Sequence, residues 1–272
     1  MYFKSLFNRK FILMLLLALF MPWQTKAQET LTVCEGKTTN ECIPMYGYYF
    51  DNFTKSECII PATELTDMVG SSITAITFYA KSVASTNSTW GNARQIVFLK
   101  EMSSNSLGSS YAGMTDAAIV FDGLLPMPTT SADGYTINFT EQYIYHGGHL
   151  LIGIYNEVKG SFNKVEWYGI NTQTSGASAY GYNGSNISNC AFYDKTFLPK
   201  TTFTFTTGAC ARPKDLVVSD IMANSALLSW TKGSDDQTNW EVYLTTTDIS
   251  DPGDNPTPIM EATECTKQLE DL

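Results

Sequence analysis

His146 and His149 are the two histidines of the chain, three apart in Tyr145-His146-Gly147-Gly148-His149. Two imidazoles at that spacing could supply half of a zinc site, which needs three or four converging ligands. No Cys, Asp or Glu lies beside them, and the Gly-Gly between them reads as a turn leading into Leu150-Leu151-Ile152. The pair is therefore read as a turn, with no metal and no cofactor implied. The sequence contains no G-x-S-x-G, no H-E-x-x-H and no P-loop. Glycosidase carboxylates come from distant positions and meet only in the fold, so Glu157, Glu166 and Asp194 have to be weighed. They are read as solvated loop and edge charges, and no catalytic residue is assigned. The acidic runs Asp235-Asp236 and Asp248 to Asp254 hold turn formers and lack the regular oxygen spacing of a calcium loop.

Aromatic rings are the more informative chemistry. Tyr46-Gly47-Tyr48-Tyr49-Phe50, Trp167-Tyr168-Gly169 and Tyr180-Gly181-Tyr182 set amphipathic rings beside glycines. Exposed on a sheet, such rings stack on sugar faces or anchor a protein partner. Trp90 lies in the polar stretch Ser88-Thr89-Trp90-Gly91-Asn92 and is read as an exposed indole. Trp90, Trp167, Tyr168, Tyr180 and Tyr182 are the candidate binding residues. Strand alternation buries a share of any such set.

Those rings must be positioned by strands. Short runs rich in β-branched and aromatic residues recur between Gly, Asn, Ser and Pro: Ile73 to Ala80, Arg94 to Glu101, Ala117 to Phe121, Tyr135 to Thr140, Leu150 to Tyr155, Lys164 to Gly169 and Thr201 to Thr207. The spacing predicts one helix, Pro61 to Val69, with Leu65, Met68 and Val69 toward the sheet. The expected fold is all-β: an antiparallel, jelly-roll-like sandwich over residues 28–208, with a closed barrel as the alternative. The pattern changes at Gly208-Ala209, and a second β unit is expected over residues 209–272.

The N-terminus sets the compartment. Lys4, Arg9 and Lys10 precede an apolar run from Phe11 to Trp23, and Gln24-Thr25-Lys26-Ala27 closes on a small residue. That order is a secretory signal peptide, residues 1–27, cleaved after Ala27. The apolar run is short of the roughly 20 residues a membrane-spanning helix needs. The expected product is exported, secreted or at the cell surface, without membrane insertion after cleavage. Cleavage removes four cations and no acid, moving the formal charge from −10 to −14. Such an acidic chain repels phosphate backbones, so nucleic acid is not an expected partner. Six cysteines (Cys34, Cys42, Cys58, Cys190, Cys210 and Cys265) follow the leader, with no C-x-x-C. In an exported chain they could form bridges, Cys34 with Cys42 or Cys58 being the most local, or remain buried thiols.

Two stretches resemble known families. Ala211 to Val218, Ser225-Ala226-Leu227-Leu228-Ser229-Trp230 and Trp240-Glu241-Val242-Tyr243 resemble a fibronectin type III domain, with Trp230 at the sandwich centre and Tyr243 across from it. That resemblance implies seven strands over about 100 residues. The chain ends at Leu272, where the fifth strand would hand over, so the domain is expected to be incomplete. Tyr46-Gly47-Tyr48-Tyr49, Ser56 to Ala62, Ile73 to Tyr79, Tyr145 to Gly153 and Phe197 to Phe203 resemble a module of secreted surface proteins of gut and oral Gram-negative anaerobes. The resemblance implies a jelly-roll-like sandwich with an adhesin-like or carbohydrate-facing role and no catalytic residues. His149 stands where that module more usually has Asn.

The function expected from these readings is a non-catalytic extracellular interaction module, binding a glycan or a protein. The alternatives are a structural spacer and the non-catalytic part of a secreted hydrolase.

Overall fold

The computed structural model describes residues 28–207, 213–233, 237–243 and 260–270. The expected leader, the joint at Gly208-Ala209, Cys210 and the Asp248 to Asp254 loop lie outside the described residues.

The chain is all-β and antiparallel. Its first fourteen strands are β1 (Gln28–Val33), β2 (Thr38–Asn40), β3 (Phe53–Ile60), β4 (Ser72–Phe78), β5 (Ala80–Val83), β6 (Arg94–Met102) and β7 (Ala118–Gly123), then β8 (Tyr135–Ile144), β9 (His149–Val158), β10 (Val165–Asn171), β11 (Ser178–Asn183), β12 (Tyr193–Lys195), β13 (Phe197–Pro199) and β14 (Thr201–Thr206). One sheet runs β12-β11-β3-β9-β6-β7. Another runs β1-β14-β4-β8, and a third runs β13-β10-β2 with β5 also on β10.

These last two sheets share strands in all but name. β4 and β5 are one run of chain broken only at Tyr79, and β13 and β14 are another broken only at Lys200. β4 and β14 pair with each other, whereas β5 and β13 both pair with β10. The breaks let two strands turn from one sheet into the next, the usual device for closing the corner of a sandwich.

Alternation explains the layers. On β6, Val97 and Leu99 enter the main core with Ile152 and Ile154 of β9, and meet Ile73, Phe78 and Phe203 from the other sheets. Ile96 and Phe98 point the opposite way and join Ile59, Leu151 and Tyr155 in a second cluster. Residues of the 102–117 and 187–192 segments, among them Tyr111, Met114 and Phe192, cover that second cluster. The central strands β6 and β9 are thus buried on both faces, which is why they read as nearly continuous apolar runs. Phe98 lies across Gly153 on the partner strand, where an added Cβ would come within 2.0 Å of the ring.

A buried carboxylate fastens the cover. Glu57, 1% exposed, accepts hydrogen bonds from the backbone N–H of Ala112 (2.8 Å) and Gly113 (2.9 Å) and from the Tyr155 hydroxyl (2.5 Å). The Lys55 ammonium lies 5.0 and 5.2 Å from the Tyr155 and Tyr111 ring centroids.

The expected helix is a correction. Residues 61–69 form two separate 3-10 turns, Ala62–Glu64 and Thr66–Met68, divided by Leu65 at φ −119°. Nine residues are too few to offset helix nucleation, so the segment follows its anchors instead. Those anchors are Leu65 and Met68, both fully buried.

After residue 212, β15 (Lys214–Ser219), β16 (Ser225–Thr231) and β19 (Thr266–Glu270) form a three-stranded sheet, while β17 (Trp240–Val242) pairs with β18 (Met260–Ala262). Trp230 is 9% exposed and meets Trp240 edge-on at 5.7 Å. Trp240 thus supplies the ring beside Trp230, and the Tyr243 hydroxyl donates to Glu241.

Glu57→Ala is expected to strand two part-buried N–H donors and the buried Tyr155 phenol, destabilising the fold by about 3 kcal/mol. Urea denaturation reads that loss, and hydrogen exchange should accelerate first across residues 103–117. Unchanged stability would show that the carboxylate fastens nothing.

Candidate functional site

The structure divides the five candidate binding residues among three places. Trp90 and Trp167 are corrections, because both are core residues at 2% and 0% exposure. Trp90 belongs to a polar loop, but its indole turns inward against Phe50 at 4.7 Å and donates Nε1–H to the Pro126 carbonyl. Gly47 makes room for it, since a Cβ there would sit 2.4 Å from the indole. Trp167 packs on Phe78 and Tyr135, and its Nε1 has no hydrogen-bond partner among the described residues. Successive strand residues face opposite ways, so Trp167 and Tyr168 could never both be surface rings.

Tyr180 and Tyr182 of β11 join a tyrosine cluster at the edge of the six-stranded sheet. Tyr49 stacks on Tyr182 at 3.9 Å, and Tyr46 meets Tyr180 edge-on at 5.0 Å. Tyr48 and Tyr193 extend the cluster and are the most open, at 44% and 48% exposure. Burial, then the neighbouring Cys42, push Tyr180 up to about 12, while burial chiefly raises Cys42 to about 11. Both stay protonated at neutral pH.

Tyr168 lies elsewhere, in a groove of about 790 Å³ along the seam between the two broken strands. Its backbone fixes the place: Tyr168 N–H donates to the Tyr79 carbonyl (2.9 Å), and Lys200 N–H donates to the Tyr168 carbonyl (2.8 Å). Tyr79, Lys81 and Lys200 line the groove with Tyr168. The Tyr79 hydroxyl bonds Thr202 Oγ1 at 2.7 Å, and Thr202 Oγ1 in turn bonds Thr32 Oγ1 at 2.7 Å, which holds the ring in place. Lys200 Nζ sits 4.5 Å from the Tyr79 ring centroid and 2.5 Å from Glu35 Oε1.

Two loops complete the lining. Glu35 and Lys37 are brought in by Gly36, where an added Cβ would lie 2.4 Å from the Gly169 carbonyl. The 130–132 segment leads into Gly134, which has φ +79° and lies against Thr77 and Tyr79, leaving no space for a side chain. Of these lining residues, only Tyr168 was singled out from the sequence. Tyr79 carried a usable signal, as the outward neighbour of inward Phe78. The lysines carried none.

The remaining polar groups are already engaged. His149 Nδ1 accepts the Ala62 N–H at 3.1 Å, and His146 Nδ1 lies 3.0 Å from Glu101. Glu101 also accepts from the backbone N–H of His146 and Gly148, both at 2.7 Å, so it ties the Gly-Gly turn. No cluster of three metal-ligating side chains occurs among the described residues. Glu166 bonds Ser82 Oγ (2.8 Å) and Lys81 (3.2 Å), and those contacts hold its carboxyl below the usual range. Glu157 faces Arg94 at 3.9 Å and Asp194 accepts from Ser175 Oγ at 3.1 Å. Cys34, Cys42, Cys58, Cys190 and Cys265 are unbridged thiols. Burial raises Cys34 to about 12 and pushes Cys58 further in the same direction, the reverse of what a thiolate nucleophile requires.

No protein-family model, curated protein or solved structure matches the chain.

Two outcomes test these placements. Trp90→Ala is expected to lower stability by about 3–5 kcal/mol in urea denaturation, as a large buried ring does. Tyr168→Ala should cost under about 1 kcal/mol, and the reverse order would return Trp90 to the surface. The thiols set a pH dependence. A folded group held above its unfolded value of 9.0 keeps its proton when the unfolded chain has lost it. Their contribution is therefore full below pH 9 and is lost as pH rises through about 11 for Cys42 and about 12 for Cys34. Melting temperature across that range should fall, and fall less in Cys34→Ala than in the parent.

Proposed function

We propose that this chain is a non-catalytic interaction module of an exported protein, and that the seam groove is where it binds carbohydrate. The observation that carries the reading is the pair Tyr79 and Tyr168, partly exposed and lining one groove at a rigid sheet junction. Tyr79, with its hydroxyl bonded to Thr202, and Tyr168, with its backbone bonded to both turns, each offer a ring face and a polar edge, which suits a sugar ring. The signal-peptide pattern of residues 1–27 and the absence of an assigned catalytic constellation in the sequence support the same reading. The resemblance to adhesin-like modules agrees with it.

A second reading rests on the tyrosine cluster. Tyr48 and Tyr193 are open rings beside Tyr49, Tyr180 and Tyr182, a composition favoured at protein contacts. A structural spacer is the third reading, with neither surface used.

The purified chain should be retained on immobilised glycans, and Tyr168→Ala should weaken that retention at least about tenfold, about 1.4 kcal/mol. Tyr182→Ala should leave glycan retention unchanged. Retention on matrix proteins lost in Tyr182→Ala would favour the second reading. Silence of a well-folded sample on every surface would favour the spacer.

A further inference from the structure

The groove differs in charge from the chain around it. The protein carries 27 acids against 17 Lys and Arg, yet the groove lining holds Lys37, Lys81 and Lys200 against Glu35 alone. Even a modest local excess of cation matters there, because a polyanion is otherwise repelled by the acidic surface. The lysines are also available. Lys37 is exposed and forms no ion pair among the described residues. Lys81 and Lys200 pair with Glu166 and Glu35, the more open members being Lys81 at 46% and Glu35 at 65% exposure. Pairs of that exposure hold their partners by about 1 kcal/mol or less, so a ligand anion can take the carboxylate's place.

We infer that the groove takes an anionic polysaccharide, with Tyr79 and Tyr168 as ring platforms and Lys37, Lys81 and Lys200 as contacts for carboxylate or sulfate. This deepens the carbohydrate reading and rests on it. Arrangement favours a chain over a free anion. The ammonium groups come from three separate segments around two rings rather than from one point, and no buried donor set converges there as it would for an isolated phosphate. A polymer of charged sugars instead offers alternate stacking and charge along one groove.

The test uses the whole purified chain in affinity electrophoresis through gels holding polygalacturonate, dextran sulfate or unmodified dextran. Retardation by at least one polyanion, weakened about tenfold in Lys37→Gln/Lys81→Gln and in Tyr168→Ala, is the expected result. Which polyanion retards more strongly distinguishes carboxylate from sulfate. Raising salt from about 50 to about 500 mM should abolish the polyanion effect, since exposed pairs are screened within a few Å at the higher value. Both lysines are exposed, so the double variant should melt with the parent. Equal retardation by dextran, unmoved by the lysine changes, would overturn the anion preference and leave carbohydrate binding standing. Retardation by polyanions that ignores Tyr168→Ala would locate plain ion exchange elsewhere and also overturn it. No retardation by any of the three would overturn both this inference and the carbohydrate reading of the groove.

Discussion

Tyr168 is bonded through its backbone to both interrupted strands, giving its N–H to Tyr79 and its carbonyl to Lys200. Each of those residues stands where a strand leaves one sheet for the next. A strand that turns a corner loses ladder bonds at the turn, and a buried unpaired backbone group costs as much as a lost hydrogen bond. Here one residue of β10 satisfies both turns. The same pair of bonds also sets three outward side chains side by side. The groove is thus a by-product of closing the sandwich corner.

The fold was legible where sequence period and burial agree. Arg94 to Glu101 and Leu150 to Tyr155 were expected as strands and became β6 and β9 with slight extensions. β3 was not assigned as a strand, although it lies between β11 and β9. Its Lys55, Ser56 and Glu57 break the apolar run because Glu57 reaches loop donors and the Lys55 ammonium lies over aromatic rings. A buried charge satisfied by distant backbone leaves no local signature. The 61–69 segment shows the opposite failure: its apolar spacing identified Leu65 and Met68 as buried, while the helix inferred from that spacing did not form.

The candidate site was less legible, for a geometric reason. Alternation could separate Tyr168 from Trp167, and Tyr79 from Phe78, but nothing local brings residues 79, 168 and 200 together. That meeting depends on two strand breaks and on β10 crossing them. Trp90 misled in another way. Polar neighbours suggest exposure, yet Gly47 in a remote stretch opens the space that receives its indole. The glycines beside aromatics therefore mark packing as much as display. At Gly181 an added Cβ would fall 1.7 Å from the Ala191 carbonyl.

The division of aromatics follows from size and polarity. Trp90 and Trp167 offer the most apolar area and are spent in the main core. Tyrosine keeps a hydroxyl that either fixes the ring, as Thr202 fixes Tyr79, or remains wet. The partly exposed rings of the groove and of the sheet-edge cluster are consequently phenols, and burial keeps that of Tyr180 protonated above neutral pH. In the groove the lysines outnumber the lining acid Glu35 three to one. Under the proposed reading, Tyr79 and Tyr168 at the sheet corner would set where a ligand lies, and the lysines in weak exposed pairs would set which charge it carries. Shape and charge meet at one point, where the Lys200 ammonium lies 4.5 Å from the Tyr79 ring centroid.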